Sequence, residues 1–269
     1  MTRILHISDT HFGTEVPAVV EALVKQEATL KPDIVILSGD VTQRARKSEF
    51  AAAKAFFTRI GAPVHLAVPG NHDLPLYDVL TRSINPYRFY GKFFGARQQV
   101  WQDGRMAVVC LDATHPLRHT RGETKLESAR DLLESARRAI GPNGLLCVAE
   151  HQPLDVKMPD DIPEILMNPG ATAKLFSHYR VDIVFSGHVH FPLIRDTHKL
   201  FRLPRHFIIS GAGTAVSRRT RSNAPNSFNL VDIKDGGVTI ALHVYQPGGD
   251  FTIAQQAVFS REDSGWRGA

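Results

Sequence analysis

Val64-His65-Leu66-Ala67-Val68-Pro69-Gly70-Asn71-His72-Asp73 is the stretch whose reading decides the fold. Val64 to Val68 is an apolar run of strand length, and Pro69-Gly70 stops it in a turn. An amide, an imidazole and a carboxylate follow in direct succession. Alone, such a trio is an ordinary turn. It becomes a site if other strands of the chain end in the same chemistry.

They do. Towards the N-terminus, Ile4 to Ile7 reads as a strand followed by Asp9 and His11, and Ile34 to Leu37 as a strand followed by Gly39-Asp40. Between them, Val16 to Leu30 carries Val19, Val20, Leu23 and Val24 at helical spacing, and Lys31-Pro32 ends that helix. Ser48 is the expected cap of a second helix that presents Phe50, Ala53, Phe57 and Ile60 to the core and stops at Gly61. This βαβαβ order predicts parallel neighbours with right-handed crossovers, and uniformly apolar strands predict a sheet covered on both faces.

Beyond Asp73, Leu76 to Val100 reads as short helices, with Tyr77, Leu80 and Ile84 apolar and breaks at Asn85-Pro86 and Gly91. Met106 to Leu111 is a strand, Asp112 to Gly122 a polar loop with His115, Arg118, His119 and Arg121, and Thr124 to Ile140 an amphipathic helix. Leu145 to Ala149 is a strand followed by His151, Pro169 to Tyr179 a short helix, and Val181 to Phe185 a strand followed by Gly187-His188-Val189-His190. The last third predicts antiparallel strands at His206–Ser210, Phe228–Ile233, Val238–Tyr245 and Phe251–Phe259, with a tight turn at Asp235-Gly236-Gly237. No linker or repeat divides the 269 residues, so one domain is expected, with a frayed polar tail after Ser260.

Composition narrows the function classes. No apolar run is long enough to span a bilayer, and the N-terminus enters a strand without a secretory pattern, so a cytoplasmic protein is expected. Cys110 and Cys147 each lie inside an apolar run and read as core thiols. A net charge of +5 and a pI near 9.3 suit anionic substrates without amounting to a nucleic-acid-binding signature.

In α/β sheets the C-terminal strand ends lie along one rim, where ligands bind. Five strands here would bring Asp9, His11, Asp40, Asn71, His151, His188 and His190 to that rim. Carboxylate and imidazole are donors for borderline divalent metals. The set exceeds one tetrahedral site and suits two metals roughly 3.5–4 Å apart, sharing a carboxylate.

The ordered series Asp9-x-His11, Gly39-Asp40, Gly70-Asn71-His72-Asp73, His151-x-Pro153 and Gly187-His188-x-His190 resembles the calcineurin-like metallophosphoesterase superfamily. Its spacing is most similar to the bacterial class III cyclic-nucleotide phosphodiesterases, as are Ser210-Gly211-Ala212-Gly213-Thr214 and Ala224-Pro225-Asn226-Ser227-Phe228-Asn229. The resemblance implies a four-layer α/β/β/α sandwich of two mixed sheets and a ligand assignment. Asp9, His11 and His190 would hold one metal, Asn71, His151 and His188 the other, with Asp40 bridging. The metals would be two divalent ions among Mn, Fe, Zn, Co and Ni. One departure is Gln152, where relatives often carry a second histidine that contacts substrate.

The chemistry expected is phosphodiester hydrolysis by a metal-bridging hydroxide, with His72 protonating the leaving oxygen and Asp73 orienting His72 and keeping it cationic. A small phosphodiester is the expected partner, a 3′,5′-cyclic nucleotide first. A nuclease and a broad-specificity phosphodiesterase are the alternatives, with a metal-retaining binding scaffold outside enzymes. Nucleic acid is disfavoured because aromatic interleaving is lacking. A lipid-precursor pyrophosphatase of the superfamily typically carries Arg where His72 stands. A homodimer is compatible with the reading. Ser217-Arg218-Arg219-Thr220-Arg221 reads as a solvated basic turn, with substrate phosphate or a neighbouring subunit as the other readings.

Overall fold

The computed structural model describes residues 1–76, 78–234 and 236–269. The chain runs β1 (Thr2–Ile7), α1 (Pro17–Leu30), β2 (Ile34–Ser38), α2 (Lys47–Arg59), β3 (Val64–Val68) and a 3-10 turn at Asn71–Asp73. Then come α3 (Val79–Ile84), α4 (Arg88–Phe94), β4 (Gln99–Gln102), β5 (Met106–Cys110), α5 (Leu126–Ile140), β6 (Leu145–Ala149) and a 3-10 turn at Pro159–Glu164. The remainder is α6 (Pro169–His178), β7 (Ile183–Ser186), β8 (Leu193–Asp196), β9 (Ile208–Gly211), β10 (Ser227–Lys234), β11 (Gly237–Tyr245), β12 (Phe251–Glu262) and β13 (Gly265–Gly268).

Two mixed sheets form, one ordered β13-β12-β11-β10-β1-β2-β3 and the other β4-β5-β6-β7-β9-β8. Side chains alternate across each strand, and both faces are covered. In the first sheet Leu5, Ile7, Val35 and Leu37 pack outward with Leu23, Phe50 and Phe57 of α1 and α2. Ile4, Ile34 and Ile36 point inward, against Val108, Cys147, Ile183 and Phe185 of the second sheet. The outer face of that sheet carries Val109, Val148 and Val184 against Leu133 of α5 and Phe176 of α6. The result is the expected α/β/β/α sandwich.

Parallel register sets the site. Ile7 pairs with Leu37 and Ser38 with Val68, so β1, β2 and β3 end together. Cys110 pairs with Ala149, and Ala149 with Phe185, which does the same for β5, β6 and β7. The loops after β1 and β2 then run side by side, with Asp9 N donating to Gly39 O at 3.1 Å and His11 N to Asp40 O at 3.0 Å.

Several local expectations are corrected. Ser48 does not cap α2; Glu49 Oε2 does that work, accepting from Arg44 N at 2.8 Å and Arg46 N at 3.2 Å. The break at Asn85-Pro86 separates α3 from α4, but Gly91 lies within α4. The tail is not frayed. β13 pairs with β12, and Trp266 is 1% exposed, its indole N–H donating to Asp182 Oδ1 at 2.8 Å. Tyr77 and Asp235, named in the expected helix and turn, lie outside the described residues. Both cysteines are free and buried, and burial pushes Cys110 up to about 12, consistent with inert core thiols. No helix among the described residues is long and apolar enough to cross a membrane.

Candidate metal centre

The turns after β1, β2 and β7 are strained where a metal-type side chain must be aimed. Asp9 (φ 52°), His11 (40°), Asp40 (47°), His188 (75°) and His190 (56°) all adopt left-handed backbone. Only three other non-glycine residues among those described do so: Lys31, Ala45 and Arg180. Each such residue costs on the order of 1–3 kcal/mol, so five in one place mark a site held in shape by its surroundings. Two glycines permit the close packing. A Cβ on Gly187 would overlap Ser8 Oγ and Asp9 Oδ2, and one on Gly70 would overlap Asp40.

Two clusters result. Ligand atoms of Asp9, His11, Asp40 and His190 lie within 4.8 Å of one another, as do those of Asp40, His151 and His188. Asp40 belongs to both. Its Oδ2 stands 3.6 Å from His11 Nε2, and its Oδ1 stands 3.3 Å from His151 Nε2. Asn71 completes the second group, its Oδ1 lying 3.2 Å from His151 Nε2.

The donor set fits cations because it is a collection of acceptors facing one another. His151 Nδ1 lies 2.8 Å from Ser38 O, and His190 Nδ1 lies 2.7 Å from Arg219 O. A carbonyl oxygen only accepts, so each Nδ1 carries the hydrogen and each Nε2 presents a lone pair. His190 Nε2 then faces His11 Nε2 at 3.0 Å. Asp9 Oδ1 is buried and accepts no hydrogen bond, although His190 Nε2 stands 3.2 Å away. His188 is turned the other way round. Its Nε2 faces Glu164 Oε2 at 3.1 Å and its Nδ1 faces His151 Nε2 at 3.3 Å.

The charges of the side chains agree. Burial opposes ionising Asp9, yet His190 and then His151 hold its carboxyl down to about 2. Burial likewise opposes Asp40, and His151 and His72 hold it well below the carboxylate range. Burial pushes His11 down to about 3. His151 goes the other way. Burial would lower it, but Asp40 and Asp9, helped by the Ser38 carbonyl, raise it to about 9. The clusters are therefore built to hold two divalent cations together.

His72 and Asp73 do not pair as expected. The Asp73 carboxylate accepts from Val41 N (3.1 Å), Thr42 N (2.8 Å), Thr42 Oγ1 (2.9 Å) and Gly70 N (2.9 Å). It is committed to stitching the turn after β3 onto the loop after β2. Burial and the charge of Asp40 push it up to about 7 against those backbone donors. The His72 ring instead sets Nδ1 3.0 Å from Gln43 O, while Nε2 lies 3.0 Å from Arg219 Nη1. Its backbone N–H donates to Asp40 Oδ1 at 2.9 Å, so the turn fixes the shared carboxylate.

A pocket of about 510 Å³ opens over the clusters, lined by Asp40, Asn71, His72, His188 and His190 and rimmed by Thr120, Asp160, Asp161, Glu164, Arg219 and Arg221. Glu164 and the Gln43 carbonyl were not predicted in these roles, and Arg219 only as one member of a basic run with substrate phosphate as an alternative reading. No local pattern marks them, since each arrives by tertiary contact. Gln152 is fully buried and donates through Nε2 to Thr120 O at 3.0 Å, so it anchors the 115–122 loop beside the pocket. His119 lines a small cavity next to His72, whereas His115 accepts from Leu117 N within its own loop.

Residues 2–192 match the family described as calcineurin-like phosphoesterase. UDP-2,3-diacylglucosamine pyrophosphatase LpxG of Chlamydia muridarum is 32% identical over 77 residues, 28% of this chain and 23% of that protein. The match thus spans about a quarter of that relative's length. Among solved structures, purple acid phosphatase PPD1 from yellow lupin seeds superposes with a TM-score of 0.64 at 15% identity, covering 97% of this chain and 54% of that one. A dimetal phosphatase from Danio rerio gives 0.62 at 10% identity over 97% and 99% of the two chains. A Vps29 single mutant from Entamoeba histolytica gives 0.53 at 14% identity, covering 96% and 100%. At these identities the structures share the fold.

Proposed function

The chain belongs to the calcineurin-like phosphoesterase family, and from that premise we propose that it is a phosphodiesterase dependent on two divalent metal ions. The observation that carries the reading is the pair of buried acceptor clusters sharing Asp40 at the floor of an open polar pocket. Asp9, His11 and His190 would hold one ion and Asn71, His151 and His188 the other, with Asp40 common to both. When bound, the two cations neutralise phosphoryl oxygens and acidify water, making a nucleophile available near neutral pH.

The protein's own groups do the rest. Carbonyls of Ser38 and Arg219 and the carboxylate of Glu164 hold three imidazoles in their ligating tautomers. His72, its Nδ1–H anchored on Gln43 O, presents Nε2 to the pocket and is the group proposed to carry the proton to the leaving oxygen. Asp73 supports that step from a distance by fixing the turn that bears Asn71 and His72. The histidine at position 72 and the openness of the pocket to small esters favour diesters, 3′,5′-cyclic nucleotides among them.

The test offers bis-p-nitrophenyl phosphate, cyclic nucleotides and single-stranded DNA with Mn²⁺ and then with chelator. Chelator-sensitive turnover of the small diesters is expected. Metal-dependent DNA cleavage that falls steeply with salt and outruns them would replace the reading with a nuclease. No turnover of any substrate by fully metallated protein would leave a binding scaffold.

A further inference from the structure

The basic run at residues 217–221 is not one solvated turn, because its three arginines are placed differently. Arg218 is exposed. Arg221 is forked onto Asp161, Nη1 and Nη2 each 2.7 Å from a carboxylate oxygen, so its charge is matched. Arg219 turns into the pocket over the metal clusters.

Among the described residues its side-chain hydrogen bonds are all made by Nη1. That nitrogen lies 3.2 Å from Gln43 Oε1 and 3.0 Å from His72 Nε2. Because His72 Nδ1 must carry the hydrogen that faces Gln43 O, Nε2 is the lone-pair end and the guanidinium donates to it. Neither partner is a carboxylate. Among the described residues no carboxylate pairs with Arg219, and its Nε and Nη2 make no hydrogen bond. A half-buried cation with an open N–H fork, facing a phosphoester pocket, has the geometry for two oxygens of one phosphoryl group.

The backbone beneath it is fixed independently. Arg219 N donates to Ser217 Oγ at 3.2 Å, and Arg219 O accepts from Thr214 Oγ1 at 3.1 Å as well as from His190 Nδ1 at 2.7 Å. One residue thus serves a metal ligand through its carbonyl and reaches the pocket through its side chain. Substituting the side chain leaves the carbonyl contact in place.

We propose that Arg219 is a substrate-binding residue, whose guanidinium binds non-bridging phosphoryl oxygens of the ester. On binding, it exchanges its contact with His72 Nε2 for the anion and frees that nitrogen to take up from solvent the proton it passes to the leaving oxygen. The proposal rests on the phosphodiesterase reading for its substrate, but its test does not need turnover.

Inorganic phosphate is titrated calorimetrically into Mn²⁺-loaded wild type, Arg219→Gln, Arg219→Lys and Arg218→Gln, with metal content measured on each. Charge-assisted bonds of this kind predict phosphate binding weakened roughly 10- to 100-fold in Arg219→Gln. Arg219→Lys should recover part of it, and Arg218→Gln should match wild type. Metal content should be unchanged in all, since the carbonyl contact to His190 survives. Wild-type phosphate affinity in Arg219→Gln overturns the proposal. So does an equal loss in Arg218→Gln, which would reduce the effect to general basic charge, or loss of metal in Arg219→Gln, which would make the side chain structural. If wild type binds phosphate through Arg219 yet cleaves no diester, the phosphodiesterase reading fails and the anion site stands. Where diesters are cleaved, Arg219→Gln should raise KM for bis-p-nitrophenyl phosphate by a factor similar to the loss in phosphate affinity.

Discussion

Replacing Glu164 with alanine should weaken one metal site and spare the other. Glu164 Oε2 accepts from His188 Nε2 at 3.1 Å, and the same imidazole aims Nδ1 at the cluster containing His151 and Asp40. The carboxylate therefore fixes which nitrogen carries the hydrogen and how the ring is oriented. Hydrogen bonds to a charged group contribute about 1.5–3 kcal/mol, and the Glu164 side chain is 37% exposed, so solvent screening places it at the low end. About 1.5 kcal/mol corresponds to roughly a tenfold loss of affinity, within the range typical of outer carboxylates on metal-bound histidines. Nothing in the first group touches Glu164, because the His190 ring is set by Arg219 O. The assay is a competitive titration against a chelator of known affinity, resolved into two steps, with thermal unfolding of metal-free protein as the folding control. One of the two steps should shift about tenfold in Glu164→Ala and less in Glu164→Gln, whose amide oxygen still accepts. Unchanged binding at both steps, or an equal loss at both, would refute the assignment of His188 to a separate site.

Asp40→Asn should lower the affinity of both sites together, because one carboxylate serves both clusters, whereas His190→Ala should lower one; metal analysis after brief chelator exposure distinguishes them. Gly187→Ala should destabilise the protein by about 2 kcal/mol or more, read by urea unfolding, because the added Cβ meets Ser8 Oγ and Asp9 Oδ2. Trp266→Ala should cost about 3–5 kcal/mol, where a frayed tail would give no change. His6 supplies a pH test. It is buried between Ser38 Oγ (2.9 Å) and Ser210 Oγ (3.2 Å), and burial pushes it down to about 3. The folded value lies below the unfolded one, so its contribution is intact above about pH 6.5. It is lost at about 1.4 kcal/mol per pH unit as acidification proceeds towards 3, because the unfolded chain takes up the proton first. The difference between the stability–pH curves of wild type and His6→Asn should show that slope between roughly pH 6 and 4; parallel curves would contradict it.

The sandwich was legible where strands are buried on both faces, because Ile4-Leu5-His6-Ile7 and Ile34-Val35-Ile36-Leu37 supply one residue to each core in turn. It was illegible at three of the four sheet edges, β3 being the edge that could be read. β4, β8 and β13 are only four residues long, too short to show a strand period, and are defined by pairing with β5, β9 and β12. The same division runs through the site. Residues in the turns directly after strands could be found because sequence position fixes where they sit. Glu164 could not, and Arg219 could not be singled out within its basic run, because each reaches the pocket from a loop whose path only the folded chain defines. Asp73 was found but misread. A carboxylate beside a histidine in sequence suggests a pair, yet at one turn's distance the backbone N–H groups of Val41, Thr42 and Gly70 bind it first.

If two metal ions act together on a phosphodiester, activity must follow metal loading as far as the second ion. Metal-free protein is reconstituted with Mn²⁺ in fractional equivalents while bis-p-nitrophenyl phosphate turnover is followed, and chelator is added at the end. Turnover should rise until two equivalents per chain are bound and vanish with chelator. Turnover that is complete at one equivalent, or that survives chelation, would rule out joint action of two ions.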